Sequence, residues 1–395
     1  LSPVVSWQDG RTLDTLARMA ADGLAPEVLA RSGLPLDPYF SAAKLGWLLA
    51  ELPAVAAAHA AGRLRLGTSD AFLLDTLAGR FATDPATASR TGLTNLRSGD
   101  WDETLCALFG VPIETLPPIL PTLADFGTLA GRPVRAAIVD QQAALYGHGC
   151  RAPGDWKLTL GTGGFALAPC EAGQRAPAAA AGLVPTVAWD LGVGPVHALD
   201  AAVPDVGTAI DWSVRAGFVP RVGACDPGAP LVAADGLVAL PLFAGLGCPH
   251  WERGARPLIL GFGPDTSGPD LARATLEGVA FLCARALDAI ASVVEPGGPV
   301  RVDGGVSRDR AFLQALSDLS GRELTRVPEA ERTALGAALL AARACDAPDP
   351  PPGRGEPLRV IPRPVPPAAR EALERGLALA RRPSPSPTDP EARHG

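Results

Sequence analysis

An α/β fold built as two domains is predicted from three stretches of this 395-residue chain. The first, VRAAIVDQQAAL from Val134, reads as a short apolar strand (Ala136 to Val139) ending in Asp140, Gln141 and Gln142, with small residues behind it that suit a close-packed helix. The second, KLTLGTGGFAL from Lys157, reads as strand, glycine turn, strand. The third, VRVDGGVSRDRAFLQAL from Val300, reads as strand, Asp303-Gly304-Gly305, helix. Open α/β sheets hold ligands where strands give way to helices at their carboxyl ends. Asp140 and the paired glycines both stand at such points. The length suffices for two domains with real cores.

Composition narrows the classes. A hydrophobic content of 47%, a charged content of 19% and a net charge of −7 fit a globular protein without the basic footprint that nucleic acid demands. The basic charge is almost all arginine, because Lys44 and Lys157 are the only lysines. Seven scattered cysteines without a C-x-x-C pair indicate neither a disulfide framework nor a zinc site. No apolar run reaches membrane-spanning length, and the first residues lack the basic and apolar regions of a signal peptide. A reducing cytoplasm is the expected location, with no membrane partner.

Taken in order, Leu13, Leu16, Ala17 and Ala20 recur at helical spacing. A Pro-containing turn around Tyr39 leads into a helix from about Ser41. Trp7 and Tyr39 are either core aromatics or a sugar-facing wall. GTSDAFLLDTLAG reads as a helix, TDPATASRT as a loop, and DWDETLCALFGVP as a helix stopped by Gly-Val-Pro. Ser89 and Arg90 read as scaffold. Gly161 to Gly164 make a hairpin whose glycines are expected to take positive φ and to leave N–H groups open to an anion. An ordinary strand-end Asp beside an ordinary turn remains the alternative. Residues 183 to 212 alternate around Trp189 and His197, a packed or surface histidine, before Gly207 opens a helix whose N-terminus favours phosphate oxygens. Cys248 and His250 have no second pair nearby to make a metal site. A helix from about Asp270 to Val294 buries Leu276, Val279, Cys283, Leu287 and Ile290 on one face. After Asp303-Gly304-Gly305 comes a helix closed by Gly321, a strand, and a small-residue helix from Thr333. Beyond Asp346 the chain turns Pro- and Arg-rich, with one helix at 367 to 382 and an end expected to be disordered. No repeat of solenoid period is found.

Several of these segments belong together. DQQAAL followed by a GTG hairpin, the W-Q and D-P-Y-F-S segments, and D-G-G followed by T-A-L-G-A-A resemble the FGGY carbohydrate kinases, most of all those acting on glycerol. The resemblance runs almost unbroken from Trp7 to about Ala344. It implies two ribonuclease-H-like (actin-like ATPase) domains around a cleft: residues 1–150 for the substrate, 151–345 for the nucleotide, and 346–395 as a tail. The implied reaction is ATP-dependent phosphorylation of a polyol or sugar hydroxyl, glycerol to glycerol 3-phosphate first. A ketopentose of the xylulose type, or an inactive nucleotide-binding relic, is the alternative.

By the same resemblance Asp140 is the catalytic base and a ligand of Mg2+. Trp7, Tyr39, Asp140, Gln141 and Phe165 face the small-molecule substrate. Gly161, Thr162, Gly163, Gly207, Asp211, Gly304, Gly305 and Arg310 hold ATP. A homo-oligomer is left open. Cys248, His250, Glu252 and Pro257 depart from the family pattern, as do Asp309 and Arg310 where an Asn is usual. The family's opening Asp-x-Gly-Thr hairpin and its Gln-Arg-Glu segment are not found. Asp125 to Thr128 and Asp205 to Thr208 match the first pattern, but the one follows a Pro-rich stretch and the other opens a helix. The first domain is therefore read as N-terminally incomplete, with little or no turnover expected of the chain alone.

Overall fold

The computed structural model of the chain describes residues 2–327, 331–348 and 356–381; the end read as disordered lies outside them. Residues 13 to 115 form mostly helices, as their spacing of apolar residues predicts. Leu13–Ala21 packs Leu16 and Met19 against Ala43, and Ala25–Ser32, Ala42–Glu51, Pro53–Ala60 and Glu103–Phe109 close on a core of Val28, Leu45, Leu48, Leu93 and Leu105. Gly110, at φ 67, ends the last of these helices as the Gly-Val-Pro signal requires.

Two local expectations fail. TDPATASRT is not a loop throughout, since Pro85–Ala88 forms a helical turn. The Asp84 carboxylate accepts from Thr87 N and Ala86 N, and Pro85 occupies the first helical position, where a missing N–H costs nothing. Ala136 to Val139 is not a strand either. The segment runs extended beside residues 122–127, with Ala137 N donating to Thr122 O at 3.1 Å, but its one β-bridge is Leu123 with Ala136. Apolar, β-prone residues make a strand only when a partner ladder accepts them, and here the pairing goes no further than that one bridge.

A seven-stranded sheet organises the rest. Its strands are β1 (Lys157–Leu160), β2 (Gly164–Cys170), β3 (Val184–Asp190), β4 (Pro195–Val203), β5 (Val300–Asp303), β6 (Leu324–Arg326) and β7 (Leu358–Val360). They lie in the order β7-β6-β5-β1-β2-β4-β3. β6, β5 and β1 run parallel, and the other pairs are antiparallel. Strand β7 carries no signal in the Pro- and Arg-rich sequence around it.

Helices cover both faces, and alternate residues of each strand divide between them. On one face α1 (Asp140–Gly147) and α5 (Arg332–Arg343) pack Leu145, Tyr146 and Leu340 onto Leu167, Trp189 and Ala198. On the other, α3 (Gly268–Ala291) and α4 (Arg310–Ser320) bury Val279, Leu287 and Phe312 against Leu158, Ala166 and Leu199. The apolar stripe predicted for α3 is buried as expected, and a capping box of Ser267 with Asp270 starts it. Between β4 and α3, α2 (Gly207–Arg215) begins where the sequence places it, and Gly321, at φ 66, closes α4. No described helix is long and apolar enough to cross a membrane.

Candidate active site

Asp140 is the first residue of α1, and its side chain is exposed. Its Oδ1 accepts from Gln141 N at 2.7 Å and its Oδ2 from Gln141 Nε2 at 3.3 Å, so the carboxylate and the amide hold one another at the helix start. The Gln141 side-chain Oε1 in turn accepts from Lys157, which is fully buried at the start of β1. The same ammonium donates to Thr159 Oγ1 at 3.0 Å and to the Phe165 carbonyl at 3.4 Å. This chain of contacts joins the Asp140 turn to the β1–β2 hairpin. Burial pulls the Lys157 ammonium below its usual range, against the attraction of Asp303, Asp200 and Asp140.

Phe165 belongs to an aromatic wall. Trp7, 39% exposed, meets the edge of Tyr39 at 5.5 Å and of Phe165 at 6.0 Å, while Tyr39 and Phe165 lie nearly parallel at 6.5 Å. The Tyr39 hydroxyl accepts from Arg90 Nη2 at 2.8 Å, and Arg90 Nη1 lies 2.6 Å from the buried Asp200 carboxylate. Burial pushes the phenol up to about 12, outweighing the Arg90 charge, so it stays neutral. Arg90, read from sequence as scaffold, is the prop behind Tyr39. Trp251 extends the wall, 6.4 Å from Tyr39 and 5.9 Å from Phe40.

Three turns meet where β1 and β5 end side by side. In the first, Gly161 N donates to Gly163 O at 2.9 Å. None of Gly161, Gly163 and Gly164 has positive φ, contrary to the hairpin expectation. Closeness is the reason for glycine here: a Cβ on Gly163 would stand 2.9 Å from Val203 O and 3.2 Å from Pro204 O. Thr162 is exposed at the tip.

The second turn opens α2. Val206 N donates to Thr162 O and Gly207 N to Gly161 O, both at 3.0 Å, and Thr208 N reaches Thr162 O at 3.4 Å. These hairpin carbonyls occupy the N–H groups that the sequence offered to phosphate, so Gly207 serves as a support for the hairpin rather than as a free helix N-terminus. Asp211 is exposed one turn further along.

The third turn is Asp303-Gly304-Gly305. Gly304, at φ 87, lies so near β1 that a Cβ would meet Leu160 O at 2.4 Å, and both glycines are exposed. Arg310, also exposed, begins α4. The preceding Asp309 is its cap, accepting from Ala311 N at 2.9 Å and Phe312 N at 3.1 Å. Where an Asn was expected, the carboxylate does capping work. Asp303 Oδ2 lies 3.2 Å from His148 Nε2 at the end of α1. Burial would raise this carboxyl, but His148 and the Lys157 charge hold it below the usual range.

Among the described residues no three His, Cys, Asp or Glu side chains gather as a metal cluster. Neither Asp-x-Gly-Thr match forms a phosphate hairpin, although Val206, Gly207 and Thr208 of the second pack against the 161–162 turn. Asp125 to Thr128 leads into an exposed hairpin of two-residue strands, and Asp205 accepts from Ala244 N at 2.7 Å. Trp7, Tyr39, Gln141 and Phe165 are thus brought together beside Asp140, and Gly161 to Gly163, Gly207 and Gly304 around one strand end. Sequence reasoning missed Lys157, Asp200 and the His148–Asp303 pair, for which single residues in strands and helix ends carry no local signal.

Models of the N- and C-terminal domains of the FGGY family of carbohydrate kinases match residues 1–147 and 156–345. The glycerol kinase of Thermus brockianus is 40% identical over 393 residues, 96% of this chain and 79% of that protein. That of Xanthobacter autotrophicus is 39% identical over 355 residues, 86% of this chain and 71% of the relative. Among solved structures, Plasmodium falciparum glycerol kinase with ADP superposes with a TM-score of 0.74 at 25% identity, covering 96% of this chain and 73% of that one. A ligand-bound xylulose kinase from Lactobacillus acidophilus reaches 0.75 at 18% identity, over 95% and 78%, a likeness of fold.

Proposed function

This chain belongs to the FGGY family of carbohydrate kinases, and from that premise we propose how it moves the terminal phosphoryl group of ATP onto a hydroxyl of glycerol, giving glycerol 3-phosphate and ADP. Its fold is the family's two-domain, ribonuclease-H-like and actin-like arrangement. A ketopentose substrate has no observation in its favour that glycerol lacks.

In this reading glycerol lies against Trp7, Tyr39 and Phe165, its C–H faces on the rings and its hydroxyls toward Gln141 and Asp140. Asp140 takes the proton of the reacting hydroxyl as that oxygen attacks the γ-phosphorus, and the bond from phosphorus to the β-bridging oxygen breaks to release ADP. Phosphoryl transfer asks little covalent chemistry of a protein and much positioning. The 161–164 hairpin would seat the phosphates, and Gly304, Gly305, Asp211 and Arg310 the rest of the nucleotide. Mg2+ fits a site with one exposed carboxylate, because it is commonly held by one or two carboxylates with phosphate oxygens and water. Asp140 would be that ligand, and the ion would supply neutralising charge to the phosphates. The reaction is taken to be cytoplasmic, where ATP is regenerated.

The observation that supports this most is the run Asp140–Gln141–Lys157–Phe165, which sets a carboxylate turn beside both an aromatic wall and a glycine hairpin. In a form that carries the family's opening Asp-x-Gly-Thr hairpin, Asp140→Asn is expected to lower turnover by about 10²- to 10⁴-fold while ADP affinity changes by no more than a few-fold. A coupled ADP-release assay with glycerol, and calorimetry with ADP, measure the two. Turnover that survives the substitution removes Asp140 from the mechanism, and faster turnover of xylulose than of glycerol replaces the substrate.

A further inference from the structure

We propose that Lys44 and Lys157 are positioning residues for the alcohol substrate, each gripping from behind two of the groups that face it. Of 35 basic residues in the chain these two alone are lysines. Both are buried, at 5% and 0% exposure. The remaining positive charge is arginine, so whatever keeps lysine at these two places is not charge as such. An ammonium differs from a guanidinium in being a compact head whose three donors can aim at three separate acceptors, whereas the guanidinium spreads five donors in a rigid plane.

Lys157 meets three acceptors in this way and Lys44 two. Lys44, on the helix Ala42–Glu51, donates to the backbone carbonyl of Trp7 at 3.2 Å and to that of Pro38. It thereby fastens the loop that carries Trp7 to the turn that carries Tyr39. Lys157 donates to the Gln141 amide oxygen, to Thr159 Oγ1 and to the Phe165 carbonyl, fastening Gln141 to Phe165. The aromatic rings so anchored meet at 5.5 to 6.5 Å. Neither ammonium belongs to the wall itself. Trp7 and Tyr39 come from the helical first part of the chain and Phe165 from the sheet, so each grip fixes the groups on one side of the wall. An arginine at either place would bury donors that the available acceptors cannot satisfy.

The inference rests on the glycerol reading above, and its test separates the two. Calorimetry with glycerol on the unaltered chain comes first, because a chain that takes up no glycerol removes the reading and the inference with it. With binding in hand, Lys44→Met and Lys157→Met are each expected to weaken glycerol binding about tenfold or more while ADP binding stays within about twofold, and Lys44→Arg to do no better than Lys44→Met. Unchanged glycerol affinity in the Met variants, or glycerol and ADP affinity falling together, overturns the proposal. A second measurement needs no variant to fold. In protein labelled with 15N-lysine, two lysine amide signals are observed by NMR, and saturating glycerol is expected to shift both. A signal that stays in place while calorimetry shows glycerol bound overturns the role of that lysine.

Discussion

Lys44 carries a charge into surroundings that resist it. Burial pushes its ammonium down to about 8, against the pull of Asp9 and Asp37, with Arg253 and Arg11 adding to the push. An unfolded lysine keeps its proton to about pH 10.4. Between those values the unfolded chain therefore binds more protons at this group, and its contribution to stability rises with pH. The grip on Trp7 and Pro38 changes in the opposite sense, because a neutral amine makes weaker hydrogen bonds than an ammonium. Glycerol affinity is accordingly expected to fall a few-fold from about pH 7.5 to about pH 9, without a matching loss of stability, and Lys44→Met is expected to lack this dependence. Calorimetry and urea unfolding across that range measure both, and an affinity equally flat in the two proteins would disconnect Lys44 protonation from the site. The residues proposed to face the substrate were legible because motifs carry them: W-Q, D-P-Y-F-S, D-Q-Q and the phenylalanine after the glycine turn. Lys157 was not, since a lysine at a strand start looks like any surface lysine until the strand is found in the middle of a sheet.

Among elements, the short helix at Pro85 shows most clearly how packing altered a reading. TDPATASRT has the residues of a loop, yet Asp-Pro is also a helix start. Asp84 settles it by accepting from Ala86 N, Thr87 N and Oγ1, and Thr122 Oγ1 at 3.0 Å, which ties the turn to a distant segment. Burial pushes this carboxyl up to about 6, the hydrogen bonds only partly opposing it. Its ordinary value is 3.8. The folded chain thus binds more protons here between those values, so the group's contribution to stability is full below the lower value and is lost as pH rises through the higher one. Asp84→Asn is expected to flatten the decline in stability between about pH 4 and pH 6.5, read from urea midpoints at several pH values, and an unaltered slope would show that Asp84 is ionised throughout. Ala136 to Val139 makes the complementary point. Apolar and β-branched residues were enough to suggest a strand, but a strand is a relation between two segments, and only one was in view. The glycine hairpin was found correctly for an incorrect reason, because close approach to Val203 and Pro204, rather than positive φ, is what excludes a side chain.

Over the whole molecule, a two-pronged ion pair ties the helical first part to the loop that precedes α3. Arg253 donates from Nε and Nη2 to the two oxygens of Asp37 at 2.7 and 2.6 Å, across 216 residues of sequence. Asp37 is almost completely buried and also accepts from Tyr39 N at 2.8 Å. Arg253→Met is expected to lower stability by about 1–3 kcal/mol, since it strands a buried carboxylate, and Arg253→Lys to recover only part, since a point charge cannot serve both oxygens. Denaturant midpoints of the three proteins decide it, and a Met variant as stable as its parent would make the pair incidental. Reading residues along one chain was enough to establish an α/β protein of kinase type and most of its helices, and to nominate the groups proposed to face ligands, because periodicity, caps and glycine-bearing motifs are properties of neighbours in sequence. Folding added the order of the strands, the edge strand β7, the occupied N-terminus of α2 and the buried ion pairs. Those depend on which distant segments come to lie side by side, where burial and shared hydrogen bonds are settled between partners that no local pattern names.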